Sequence, residues 1–348
     1  MQRIFVTRRI PDAGFRLLEG NGPAGLEVAV GEEEDQRPLP REALVEGVRS
    51  ADVLLCLLTD RVDREVLEAG SRLRGVANYA VGYDNVDVEA ATELGLPVTN
   101  TPGVLTEATA DFTWALLLAA ARRLAEGDRF TRDGRFRIWG PRLLLGHDVG
   151  PGPGDGGRKR LGIVGFGRIG RAVARRARGF DMDVVAHVPW GRERIEASED
   201  ARWAEWDELL ETSDVLSLHV PLTPETRHLI GEEELRRMKE SAVLVNTSRG
   251  SVVDEGALVR ALREGWIAAA GLDVFEEEPE LAPGLTDLPN AVLAPHIASA
   301  TGDTRARMAT IAARNALHHL RGEPAPEVVN PEVYETAAWR ERVAGAGG

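Results

Sequence analysis

Apolar residues fall in short β-branched runs along this chain, separated by stretches with helical spacing. Early runs at 4–7, 52–57, 75–79 and 98–100 predict strands. A second series begins at Arg160, with strands predicted at 161–164, 183–186, 215–219, 243–246, 269–273 and 292–294. Amphipathic segments such as 256–264 lie between them and predict helices. A helix starting near Thr106 carries Phe112-Thr-Trp-Ala-Leu-Leu-Leu-Ala-Ala-Ala-Arg122; it is apolar nearly all round, which predicts burial. A last helix is predicted at 304–320, and the final residues read as disordered. Alternating strands and helices predict an α/β chain with doubly wound parallel sheets.

With 348 residues, two domains are expected. The Gly/Pro-rich stretch 150–157 reads as a surface loop ahead of the second series. The formal charge of −14 argues against nucleic acid and anionic membranes as partners. An anionic substrate then needs a local basic group in a cleft. The single cysteine, Cys56, sits in an apolar run and reads as a buried thiol. Met1-Gln-Arg-Ile-Phe-Val6 enters a strand directly, so a cytoplasmic enzyme is expected. The histidines form no convincing metal-ligand set with one cysteine, so no metal is expected. His318 and His319 end a helix, where the dipole favours cations, and read as surface residues.

Gly165-Phe-Gly-Arg-Ile-Gly170 follows an apolar strand and opens a helix, the context that a G-x-G-x-x-G dinucleotide loop requires. The first glycine permits a tight turn, the second a close backbone approach to pyrophosphate, and the third close helix–strand packing. Arg168 and Ile169 then lie at a helix N-terminus suited to an anion. The next strand ends Val184-Val-Ala-His-Val-Pro-Trp-Gly-Arg192. Val188 stands where an acid would read the ribose of NAD, and Arg192 follows Pro189 and Trp190; this favours NADP over NAD.

Further segments carry a resemblance. They are Asn78-Tyr-Ala-Val-Gly-Tyr-Asp-Asn-Val-Asp87, Thr99-Asn-Thr-Pro-Gly-Val-Leu-Thr-Glu107, His219-Val-Pro-Leu-Thr223, Val245-Asn-Thr-Ser-Arg-Gly250, Gly271-Leu-Asp-Val-Phe-Glu-Glu-Glu-Pro279 and Pro295-His-Ile297. With the glycine loop, they make the chain resemble D-isomer-specific 2-hydroxyacid dehydrogenases, most closely glyoxylate/hydroxypyruvate reductases, over most of its length. The resemblance implies a Rossmann cofactor domain at 106–298, inserted into a flavodoxin-like substrate domain at 1–105 and 299–334; the remainder, 335–348, reads from its composition as a disordered tail. Such domains would flank a cleft.

The family's Arg, Glu and His fall on Arg249, Glu278 and His296, at spacings of 29 and 18 positions. The chemistry suits a keto acid. Arg249 offers a planar fork for the carboxylate and carbonyl. Hydride arriving at the carbonyl carbon leaves charge on oxygen, and His296 can protonate it. Glu278 can orient the imidazole and stabilise its cation. The resemblance further implies that Leu57, Asn78, Val81 and Gly82 contact substrate. It places Thr109, Phe166, His219, Val220, Pro221, Thr226, Thr247 and Ser248 along the cofactor, with Asp273 at its carboxamide. It also implies a homodimer, with the helix near Thr106 as the interface. The activity so implied is NAD(P)H-dependent reduction of glyoxylate or hydroxypyruvate. Alternatives are another D-2-hydroxyacid dehydrogenase, such as phosphoglycerate dehydrogenase, or a dinucleotide-binding corepressor-like protein without catalysis.

Overall fold

The computed structural model describes residues 1–34, 37–152, 157–188 and 192–344. Pro189 and Trp190, residues 153–156 of the Gly/Pro-rich loop, and the last four residues lie outside the described residues. The chain falls into two compact units, Met1–Leu105 with the chain from Thr301 on, and Thr106–Ala300.

The first unit holds β1 (Arg3–Val6), β2 (Glu27–Val30), β3 (Val53–Leu57), β4 (Val76–Tyr79) and β5 (Val98–Thr99). They pair in parallel in the order β2-β1-β3-β4-β5, the flavodoxin-like winding. The central strand β3 is a continuous apolar run, because helices cover both of its faces. One cover is the helix Gly302–Arg321. Thr301 caps its start by accepting from the Thr304 amide, and Gly322 ends it at φ 67°. Its Met308, Ala309, Ala312, Ala313 and Ala316 pack on Ile4, Val6, Val53 and Leu55.

The second unit holds β6 (Arg160–Val164), β7 (Asp183–His187), β8 (Arg202–Trp203), β9 (Val215–Leu218), β10 (Val243–Asn246), β11 (Ala269–Leu272) and β12 (Ala291–Leu293). All pair in parallel, in the order β12-β11-β10-β9-β6-β7-β8. The winding reverses between β6 and β9, the switch point at which open α/β sheets bind ligands.

Two strands escaped the pattern. β2 and β8 are the edge strands at one end of each sheet, and neither buries a residue fully, so neither shows the apolar run that marks the inner strands.

Two expectations need correction. Residues in the supposed disordered tail form a helix, Ala337–Ala344. Arg342 anchors it by donating to the carbonyls of Leu94 and Leu73, and Trp339 meets Tyr334 edge-on at 5.1 Å. His319 is not a surface residue: it is buried, and its Nε2 lies 3.2 Å from Thr99 Oγ1.

The helix Thr106–Ala121 is buried within its own unit, which accounts for its all-round apolarity. Trp114 stacks on Phe180 at 4.4 Å and donates to the Val173 carbonyl. Leu116 lies over Gly271, so close that a side chain there would touch it. Among the described residues, no helix is long and apolar enough to cross a membrane.

Candidate active site

Apart from Thr109, which lies in the helix Thr106–Ala121, the described residues selected from the sequence in the second unit follow the carboxyl ends of β6, β7, β9, β10, β11 and β12. The glycine loop follows β6. Gly165 has φ +94°, and a Cβ there would lie 2.6 Å from the His219 carbonyl carbon, so only glycine fits. A Cβ on Gly167 would meet nothing within 4 Å, so its backbone faces open space. Gly170 lies against the Gly165 carbonyl and lets the helix Arg168–Ala177 start tight on the strand. Phe166 is buried, whereas Arg168 is exposed beside that helix start. Gly167 supplies no side-chain cap there. A pyrophosphate matches these orphan amides, so the loop fits a dinucleotide.

Around it, Val188 is half-buried after β7. His219 and the buried Val220 follow β9. His219 Nε2 meets Ser217 Oγ at 2.9 Å, and burial pushes the imidazole down to about 3, so it is neutral. Thr226 Oγ1 donates to the Pro221 carbonyl and accepts from the Thr223 amide, closing the turn beside them. Thr109 is buried one turn before Thr113, whose hydroxyl lies 3.0 Å from that of Thr247.

Arg192 opens the short helix Arg192–Glu196. Its guanidinium lies 4.3 Å from the Trp203 ring centroid, and its Nε donates to Glu196 at 2.6 Å. With Ala201, Arg202 and Glu208, these residues line a cavity of about 560 Å³.

Three loops carry the reacting groups. After β10, the Asn246 side chain shapes the turn to Arg249: its Oδ1 accepts from the Ser248 amide and hydroxyl, and its Nδ2 donates to the Arg249 carbonyl. After β11 comes Glu278. Its Oε1 accepts from the Phe275 amide, and its Oε2 stands 2.9 Å from His296 Nδ1. Burial alone would raise this carboxyl. The hydrogen bond and charge of His296, the Phe275 amide and the charge of Arg249 together hold it below the usual carboxylate range. After β12, His296 sits at φ +54°. Asp273 braces that bend, its two carboxylate oxygens accepting from the Ile297 and Ala298 amides. The Arg249 and Glu278 loops touch backbone to backbone, since a Cβ on Gly250 would lie 1.8 Å from the Phe275 carbonyl carbon.

In the first unit, Leu57 ends β3 and Asn78 lies in β4. Asn78 is corrected as a substrate contact: it is buried, and its Nδ2 donates to the Gly82 carbonyl at 2.8 Å and to Asn85. It holds the loop instead. Asn100 donates to the Val81 carbonyl at 2.7 Å. In a trans peptide the next N–H points the opposite way, so the Gly82 amide faces away from Asn100. Asn85 ties the same loop to the carbonyls of Leu57 and Asp60.

Asn246, Asn85 and Asn100 escaped sequence reading. Asn246 ends its strand, Asn100 follows one and Asn85 lies in the loop after β4, positions shared with ordinary turn residues. Among the described residues, no group of three or more His, Cys, Asp or Glu could hold a metal ion.

Residues 114–298 match the family model for the NAD-binding domain of D-isomer specific 2-hydroxyacid dehydrogenases. The chain is 53% identical to a glyoxylate reductase of Korarchaeum cryptofilum over 95% of its length and 96% of the relative's. A solved Thermus thermophilus protein is 47% identical, with a TM-score of 0.85 over 94% of this chain and 100% of that one. An NADPH-dependent glyoxylate/hydroxypyruvate reductase from Sinorhizobium meliloti, solved with NADP and malonate, is 32% identical, with a TM-score of 0.78 over 95% of this chain and 97% of that one.

Proposed function

This chain belongs to the D-isomer specific 2-hydroxyacid dehydrogenase family, and from that premise we propose that it reduces glyoxylate, and hydroxypyruvate as a second substrate, with NADPH preferred over NADH. The observation that carries this reading is the Glu278–His296 pair at 2.9 Å, on the same sheet edge as the glycine loop and the Arg249 turn.

The unit Thr106–Ala300 is the cofactor domain in this reading, and the first unit is the substrate domain. Gly165 to Gly170 hold the pyrophosphate, while Arg192, on its Trp203 platform, meets the 2′-phosphate. Bound there, the dinucleotide supplies the hydride. The protein's own groups do the rest. Arg249 binds the keto acid's carboxylate and polarises its carbonyl. Glu278 keeps the His296 ring oriented through Nδ1, so Nε2 delivers the proton to the oxygen that becomes the hydroxyl. The Val81–Gly82 backbone binds substrate carboxylate, as the family resemblance implies.

A homodimer is part of the proposal, with a surface that runs from the helix Thr106–Ala121 into the segment after it. The helix Thr106–Ala121 buries one side in its own core and leaves Ala115 exposed and Phe112, Leu118 and Ala119 half-buried. Phe136, Ile138, Trp139 and Leu145, exposed by 55%, 81%, 74% and 62%, support an interface on the segment after it.

The test is direct. NADPH absorbance should fall on adding glyoxylate or hydroxypyruvate. Tight dinucleotide binding with no turnover of any 2-keto acid would leave a binding protein instead.

A further inference from the structure

Two of the three catalytic loops are held by residues already described: Asn246 shapes the Arg249 turn, and Asp273 braces the His296 bend. The Glu278 loop has its own anchor. Glu255 opens the helix Glu255–Glu264, where Asp254 is the cap and accepts from the Ala257 amide. Glu255 is 5% exposed, unusual for a carboxylate at a helix start. Its Oε1 accepts from the Glu276 amide at 2.7 Å, and its Oε2 accepts from the Ala282 amide at 3.2 Å. The loop between those two amides contains Glu278. Glu255 thus fastens both ends of the segment that presents the His296 partner. Gly250 seats the same loop from another side, where it meets Phe275 and Glu276.

We propose that Glu255 is a positioning residue for the reaction, setting the 276–282 loop so that Glu278 reaches His296. The inference rests on the reading of Glu278 and His296 given above. Charge–dipole attraction between a buried carboxylate and two amides is strong where water is excluded. Burial and the charges of Glu276 and Glu278 push the Glu255 carboxyl up, and the two amides oppose that shift. Glutamine at 255 would aim an NH₂ group at one of the amides. The loop would then lose one end, and the Glu278–His296 distance would lengthen.

The test compares Glu255→Gln, Glu278→Gln and the double variant. Glu255→Gln should lose roughly ten- to a hundredfold in kcat, because catalysis is sensitive to misplacement of about 1 Å. NADPH affinity should stay at the wild-type value, and the alkaline limb of kcat for reduction should move to lower pH, as it should in Glu278→Gln. In the double variant the losses should not multiply, since both act through Glu278. Glu255→Asp keeps the charge with a shorter reach and should fall between wild type and Glu255→Gln. If Glu255→Gln does not fold, Glu255→Asp alone and on the Glu278→Gln background gives the same comparison. Wild-type kcat and pH limb in the Glu255 variant, or multiplying losses, would overturn the proposal while Glu278→Gln stays impaired. Wild-type kcat in Glu278→Gln would instead remove the catalytic reading itself, and this inference with it.

Discussion

His296 Nδ1 lies 2.9 Å from Glu278 Oε2, which commits one ring nitrogen to the protein and frees the other for chemistry. A carboxylate can only accept, so Nδ1 carries the proton, and protonation adds the second at Nε2. The pair therefore fixes which nitrogen gives its proton to a substrate oxygen.

His296→Ala should lower kcat by about 10²–10⁴-fold, the usual contribution of a positioned acid. NADPH affinity should change little, because the glycine loop and Arg192 lie apart from the reacting group. Steady-state kinetics with a fluorescence titration of NADPH checks this. Equal losses in kcat and cofactor affinity would remove the role of His296 as the acid.

Arg192→Ala should weaken NADPH roughly tenfold or more, the scale of a charge-assisted hydrogen bond, and spare NADH. Glu196 now holds the guanidinium at 2.6 Å and competes with a phosphate for it. Glu196→Gln should therefore shift the cofactor ratio the other way. KM values for both cofactors read this out, and an unchanged ratio in Arg192→Ala rules out the assignment.

Acid should destabilise the first unit through His319. Burial lowers this imidazole to about 3, whereas the unfolded chain binds a proton near the ordinary value of 6.5. Between those limits the unfolded state holds more protons, so stability falls as pH drops from about 6.5 toward 3. His319→Gln should shrink the difference between urea midpoints measured at neutral pH and at mildly acid pH. The same difference in wild type and variant would contradict the argument.

Sedimentation velocity should show a dimer. Ile138→Glu and Trp139→Glu should each shift it toward monomer, because each places a charge in the apolar run left exposed on one chain. A wild-type monomer at micromolar concentration would remove the interface.

Much of the site was legible because its chemistry is written as spacing. Gly165, Gly167 and Gly170 follow a strand and open a helix, and Arg249, Glu278 and His296 each follow a strand end. Buried polar braces leave no such trace. Glu255 reads like any acidic first-turn residue, and Asn78 reads like a residue aimed at a ligand until its amide is seen on the Gly82 carbonyl. His319 is hard to place from sequence, because two adjacent histidines at a helix end resemble a solvated cation pair. Neighbours on a helix point about 100° apart, and His319 shares a face with Ala312, Asn315 and Ala316, all buried. The Ala- and Gly-rich end looked unstructured because composition hides what Trp339 and Arg342 dock against.

The helix Gly302–Arg321 closes a face of the first sheet, yet it is made after the whole second unit. On the ribosome, the strands β1, β3 and β4 (the last ending at Tyr79) emerge early and must wait more than two hundred residues for their cover, which begins at Gly302. Until then Ile4, Val6, Val53 and Leu55 have no Met308 or Ala312 against them. The second unit, contiguous in the chain, can fold while the nascent chain is still tethered. The first unit finishes last, so a stalled or truncated translation product would carry a folded dinucleotide domain beside a sticky, half-covered sheet.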